Sequence, residues 1–151
     1  MPSRTFYNEI LTEHNLHPEH KHPLIDPTHS RRGVNPSCGD DVTLQLVLED
    51  GVIKDGSFIG DGCAISQASA DMMLDLVIGR PVEEAVKLKD TFLKMIKEKV
   101  TEEELDMLEE ASSLQDIAHM PARVKCAVLG WRTLEQILQE KADGDVTTEG
   151  E

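Results

Sequence analysis

DVTLQLVLEDGVIKDGSFIG, residues 41–60, carries the strongest structural signal in this 151-residue chain. Val42, Leu44, Leu46 and Leu48 fall on one face of an extended segment, with Thr43, Gln45 and Glu49 on the other. That alternation predicts a half-buried strand from Asp41 to Glu49. Asp50-Gly51 follows, and both residue types tolerate the positive φ of a two-residue type I′ turn. Val52 to Ile59 is then the returning strand. Strict pairing around this turn sets Leu46 against Asp55 and Leu44 against Ser57, and it points Phe58 away from the leucine face. One extra residue near Gly56 restores the match, so a β-bulge is expected there.

Helical signals lie C-terminal to the hairpin. Gly60 to Cys63 reads as a tight loop, after which Ile65, Ser69, Met72, Met73 and Leu76 share a helical face. The Met72–Met73 pair reads as core packing. Gly79 and Pro81 stop this helix, and a short helix, Val82 to Val86, follows. Thr91 to Val100 and Glu102 to Ala111 read as two more helices. Between them Thr101 and Glu104 form a capping box, in which each side chain satisfies a backbone donor of the other. The charged stretch 90–118 reads as an insertion rather than core. Pro121 suits a helix first turn and opens a long helix to about Lys141, with Val124, Val128, Trp131 and Leu138 as its apolar stripe. On the N-terminal side, Thr5 to Leu16 reads as a helix with Phe6, Ile10 and Leu11 on one side. The Pro- and His-rich stretch from there to the hairpin reads as a loop. The expected organisation is a single domain, 1–141, followed by a disordered acidic tail, 142–151.

Composition narrows the function. Fifteen Lys and Arg stand against 29 Asp and Glu, a formal net charge of −14. That balance argues against nucleic acid as a partner, because phosphate affinity needs clustered cations. No apolar run approaches the length of a membrane span, and the opening residues lack the apolar core of an export signal. A cytoplasmic protein is expected, in a reducing compartment, with its three cysteines free or metal-bound. Glu83-Glu84, Glu102–Glu104 and Glu109-Glu110 read as a solvated acidic face that also suits a basic partner.

The cysteines carry the candidate chemistry. Cys38 ends the loop before the hairpin, Cys63 sits at a helix start, and Cys126 lies early in the last helix. Thiols near helix N-termini are expected to lose pKa. Three thiolates and one further ligand would suit tetrahedral zinc or an iron–sulfur centre. Asp40 is the natural fourth candidate, with Gly39 allowing the sharp turn between it and Cys38; Asp41 competes but should face the hairpin. Arg123 lies about 60° from Cys126 around the helix, so a guanidinium there can pair with Asp40 or a thiolate. Cys126 projects about 200° from Val124 and is expected off the core stripe. Spacing alone leaves a second reading open, since buried free cysteines are common. Gaps of 24 and 62 intervening residues match no zinc-finger pattern. The His-rich tract reads as polar surface, with His20 or His22 as a proton acceptor if the loop folds over the site. No Walker loop, GxSxG motif or paired catalytic carboxylates are present.

Taken together, Asn35-Pro-Ser-Cys-Gly-Asp40, then a hairpin, then Gly60-Asp-Gly-Cys-Ala-Ile-Ser66, then Arg123-Val-Lys-Cys126 closely resemble the NifU-like iron–sulfur assembly proteins over roughly residues 5–140. Lys125 directly before the third cysteine, together with the inserted stretch, is similar to the SufU branch; the IscU branch usually carries His there. The resemblance implies an α+β fold, a small antiparallel sheet with helices on one face. It implies that Cys38, Asp40, Cys63 and Cys126 coordinate one zinc at the surface, or alternatively iron or a [2Fe–2S] cluster. It also implies a SufS-type cysteine desulfurase as partner, and a downstream cluster scaffold as a further one. By position, Cys38 is then the persulfide acceptor, freed when a partner histidine replaces it on zinc, and Arg123 holds Asp40 or a thiolate. A purely structural zinc module that binds a partner is the reading from a different class.

Overall fold

The Asp50-Gly51 turn organises the sheet. Asp50 has φ 55° and Gly51 φ 73°, the left-handed pair that a type I′ turn needs. In the computed structural model, which describes residues 9–139 and the backbone of 146–147, β2 (Asp40–Glu49) and β3 (Val52–Asp61) run antiparallel from this turn. Leu48 pairs with Ile53, but Val47 pairs with Asp55. The extra residue is therefore Lys54, two positions before the expected Gly56. Its effect is the expected one: Leu44 faces Phe58, and Leu46 faces Gly56. Phe58 joins Val42, Leu44 and Leu46 in the core.

A strand appears where a loop was expected. β1 (His29–Asn35) pairs antiparallel with β2 along its whole length, from His29↔Leu46 to Asn35↔Asp40. Its sequence, HSRRGVN, hides it. Its two buried positions are Gly33 and Asn35, so hydrophobic alternation has nothing to show. Gly33 is there for closeness: a Cβ would stand 2.3 Å from the Thr133 hydroxyl. The strand order is β3-β2-β1-β4, with β4 (Val146–Thr147) parallel to β1 at Gly33 and Val34. The rest of the expected tail, 142–151, lies outside the described residues, as do the first residues of the expected N-terminal helix. That helix is described as α1 (Glu9–Leu16).

Helices pack on one face of this sheet, giving the expected α+β architecture. α2 (Ala64–Val77) lies against β3, and α5 (Pro121–Leu138) lies against β1 and β2. Met72 and Met73 are buried as expected. α2 and α5 are also tied by polar atoms: Trp131 Nε1 donates to Ser69 Oγ (3.1 Å), and Ser69 Oγ donates to the Ala127 carbonyl (2.7 Å).

The stretch 90–118 corrects the sequence reading. α3 is one helix, Val82–Lys97, because nothing in Lys87–Asp90 breaks it. The Thr101–Glu104 capping box forms as expected and opens α4 (Glu102–Met107). A 3-10 helix (Glu109–His119) then replaces the rest of the expected helix, starting at Glu109 with φ 49°. This stretch is not an add-on. Phe92, Ile96, Leu108, Ala111, Leu114 and Ile117 are all buried, and Phe92 stacks on Trp131 at 4.3 Å between ring centroids. Its charges mark only the outer face, and they masked an inner apolar one. Among the described residues, no helix is long and apolar enough to cross a membrane.

Candidate metal centre

Three elements meet at one end of the sheet. The turn Pro36–Gly39 joins β1 to β2, held by Cys38 N–H to the Asn35 carbonyl (3.2 Å) and Gly39 N–H to the Pro36 carbonyl (3.4 Å). It presents a partly exposed Cys38. Two residues on, Asp40 opens β2 with its side chain turned inward, 2% exposed. Asp41, the competing candidate, points to the opposite, exposed side and takes two hydrogen bonds from Arg32 (2.7 and 2.9 Å). Cys63 is the N-cap of α2, and its sulfur accepts from Ser66 N–H at 3.4 Å. Cys126 comes from α5.

Three of these side chains converge. The ligating atoms of Cys38, Asp40 and Cys126 all lie within 4.8 Å of one another. Cys63 shares a hydrogen bond with Cys126, whose thiol also contacts Cys38 and Asp40. Ligand atoms about 2.0–2.3 Å from a tetrahedral zinc stand roughly 3.3–3.8 Å apart. Two sulfurs and one carboxylate lie close enough together to hold such an ion, and Cys63 stands beside Cys126. The donor set fits as well, since thiolates suit zinc and iron alike.

Cys126 departs from the expectation that it lies off the core. It is fully buried, as is Asp40, so only Cys38 and Cys63 open the centre to solvent. Burial divides the thiols electrically. The hydrogen bond from Cys126 brings Cys63 down to about 6, against the opposing effects of burial and of the Asp40 charge. Cys126, donating to Cys63 and desolvated, is pushed up. The expected lowering appears at Cys63, chiefly through the Cys126 thiol with a smaller part from the Ser66 N–H of the helix start, and it fails at Cys126.

Asp40 is gripped from two sides. Its Oδ1 accepts from Cys63 N–H (2.8 Å) and Ser66 Oγ (3.1 Å), and its Oδ2 from Asn35 Nδ2 (3.1 Å). Gly62 makes room for this grip, since a Cβ there would lie 2.3 Å from Ser66 Oγ and 3.0 Å from Asp40 Oδ1. Asn35 and Ser66 are the residues that sequence reasoning passed over. Both lie inside the quoted motifs, and the signal for Ser66 was its place three residues after an N-cap.

Arg123 lines a shallow cleft of about 130 Å³ together with Cys63, Ala64 and Ile65, which puts it at the solvent side of the centre. The histidines lie elsewhere. His20 Nε2 pairs with Asp75 (2.7 Å), and His22 contacts the Pro23 carbonyl. His14, Asp71 and Asp75, and Glu19, His20 and Asp75, also form close groups. Their closest nitrogen–oxygen contacts, 2.6–2.7 Å, are hydrogen bonds rather than the wider spacing of two ligands on one ion.

Known proteins share this architecture. The model of the NifU-like N-terminal domain matches residues 6–140. A Thermotoga maritima protein named iron–sulfur cluster assembly scaffold protein IscU is 40% identical, over 93% of this chain and 97% of that protein. A Bacillus subtilis protein named zinc-dependent sulfurtransferase SufU is 33% identical, over 93% and 95%. The crystal structure of FiSufU from Fervidobacterium islandicum AW-1 superposes with a TM-score of 0.82 at 32% identity, covering 91% of this chain and 99% of that one. With the motif cysteines gathered at one end of the same sheet-and-helix frame, the chain belongs to the NifU-like N-terminal domain family.

Proposed function

We propose that this protein is a zinc-dependent sulfurtransferase of iron–sulfur cluster assembly, which accepts persulfide sulfur from a SufS-type cysteine desulfurase. The observation that carries this reading is the convergence of the Cys38, Asp40 and Cys126 donor atoms within 4.8 Å of one another, with the Cys63 thiol beside that of Cys126. The metal set is Cys38, Asp40, Cys63 and Cys126. Zinc supplies charge that keeps these thiols deprotonated near neutral pH without itself changing oxidation state.

Cys38 is the acceptor in this scheme. It stands on the exposed turn, whereas Cys126 is buried and Cys63 caps α2. Its thiolate attacks the outer sulfur of the partner's cysteine persulfide. The partner's sulfur–sulfur bond breaks, a new one forms on Cys38, and the partner cysteine leaves as thiolate, so no external oxidant is needed. Arg123, beside Cys63 at the cleft, holds the Asp40 carboxylate or a thiolate while the set rearranges. Replacing Arg123 with Ala is expected to reduce sulfur acceptance, and unchanged acceptance with unchanged zinc affinity refutes that role.

The second reading is a scaffold that assembles a [2Fe–2S] cluster on the same cysteines and passes it to a downstream protein. It draws support from the name of the 40% identical relative. Elemental analysis of freshly purified protein, with mass spectrometry after incubation with a desulfurase and cysteine, separates the two. One zinc per chain with sulfur added at Cys38 supports transfer. A chromophore in anaerobically purified protein, with no persulfide on Cys38, supports the scaffold.

A further inference from the structure

Asn35 is the last residue of β1 and pairs across the ladder with Asp40. Its side chain is fully buried. The amide nitrogen donates to two candidate ligands at once, Asp40 Oδ2 at 3.1 Å and Cys126 Sγ at 3.5 Å. The oxygen of the same amide is buried with no hydrogen-bond partner. A buried amide that leaves its oxygen unmet is a poor choice for stability alone, since an apolar side chain would leave nothing unsatisfied. What Asn uniquely offers here is one nitrogen with two hydrogens, aimed at a carboxylate and a sulfur.

We infer that Asn35 is a positioning residue of the metal centre: its amide ties the Asp40 carboxylate to the Cys126 sulfur and presents them as a preset pair. The inference rests on the metal-centre reading given above. It divides the work around Asp40. Ser66 and the Cys63 backbone fix Oδ1 from α2, and Asn35 fixes Oδ2 from β1. Without Asn35, Asp40 is held from the α2 side alone and Cys126 loses a donor. The Asn35 backbone also anchors the acceptor turn, since its carbonyl takes the Cys38 N–H. That contact survives any side-chain change, so the side chain's role can be isolated.

Asn35→Ala and Asn35→Val test this, Val being the better shape for a strand. Zinc affinity is read by competition with a chromophoric chelator, and geometry by the absorption bands of the cobalt(II)-substituted protein. Loss of an outer-shell partner typically weakens metal binding by about 10–100-fold, and that weakening is expected in both variants, with shifted cobalt bands. Unfolding midpoints of the metal-free proteins check that the variants fold. In the unaltered protein, the Asn35 side-chain amide is expected to shift in ¹⁵N NMR spectra when zinc is added. Wild-type affinity and cobalt bands in a folded variant overturn the inference while leaving the metal centre standing, and so does an Asn35 amide that ignores zinc binding. Wild-type protein that takes up neither zinc nor cobalt overturns the metal-centre reading and this inference together.

Discussion

His14 on α1 and Asp71 on α2 meet at 2.6 Å, with both side chains buried. The other ring nitrogen of His14 lies 2.7 Å from Glu110 on the 3-10 helix. A neutral ring has one N–H, so holding two carboxylates requires the doubly protonated form. Burial pulls the ring's pKa down, but hydrogen bonds and attraction from Asp71 and Glu110 outweigh it and hold it above the ordinary 6.5. Neighbouring charges are themselves engaged: His20 pairs with Asp75 and donates its backbone N–H to Asp71, and Arg80 pairs with Glu109. The stabilisation is therefore full below about pH 6.5 and is lost as pH rises through the raised folded value. Hydrogen exchange of residues 9–16, corrected for intrinsic rate, is expected to show α1 less protected at pH 8.5 than at pH 6. The difference is about tenfold for each unit of upward shift. Glu110→Gln lets a side-chain N–H meet the neutral ring, and is expected to flatten this dependence.

Ser69 links the Trp131 indole to the α5 backbone, accepting from Nε1 and donating to the Ala127 carbonyl. Ser69→Ala leaves the buried indole N–H without that acceptor. A cost of about 1–3 kcal/mol is expected, read as a lower urea midpoint with an unchanged slope.

Lys54 is the extra residue of the bulge, so its deletion leaves every other β2–β3 partner in place. The shortened protein is expected to fold and keep its zinc stoichiometry. Deleting Ser57 instead turns Phe58 off the core face, and that variant is expected to fail to fold. Circular dichroism and metal content distinguish the two outcomes.

Metal removal is expected to loosen the end of the sheet where β2, α2 and α5 meet. With free zinc at one hundred times its dissociation constant, mass action contributes about 2.7 kcal/mol. Dialysis against a chelator should lower the melting temperature by several degrees. Cys126→Ser, which removes the sulfur that contacts the other three ligands, should abolish the difference between chelated and zinc-loaded protein.

The residues that sequence made legible were those whose signal is local. The hairpin announced itself through alternation and Asp50-Gly51, and the capping box through Thr101 and Glu104. The grouping of Cys38 and Asp40 with Cys126 was legible through the motifs around them, although spacing alone matched no metal pattern. What stayed hidden depends on partners far along the chain. β1 was invisible because its buried positions are a glycine fitted to Thr133 and an asparagine fitted to Asp40 and Cys126. The inner face of 90–118 was masked by its outer charges. The burial of Cys126 follows from α5 lying under the β1–β2 turn, which helical angles counted from Val124 do not reveal.

The face-to-face rings of Phe92 and Trp131 give the molecule a built-in optical gauge. The chain holds a single indole, and its stacking partner comes from α3. Fluorescence emission therefore reports whether α3 is seated on α5. A change in emission during a sulfur-relay assay would report movement of α3 relative to α5.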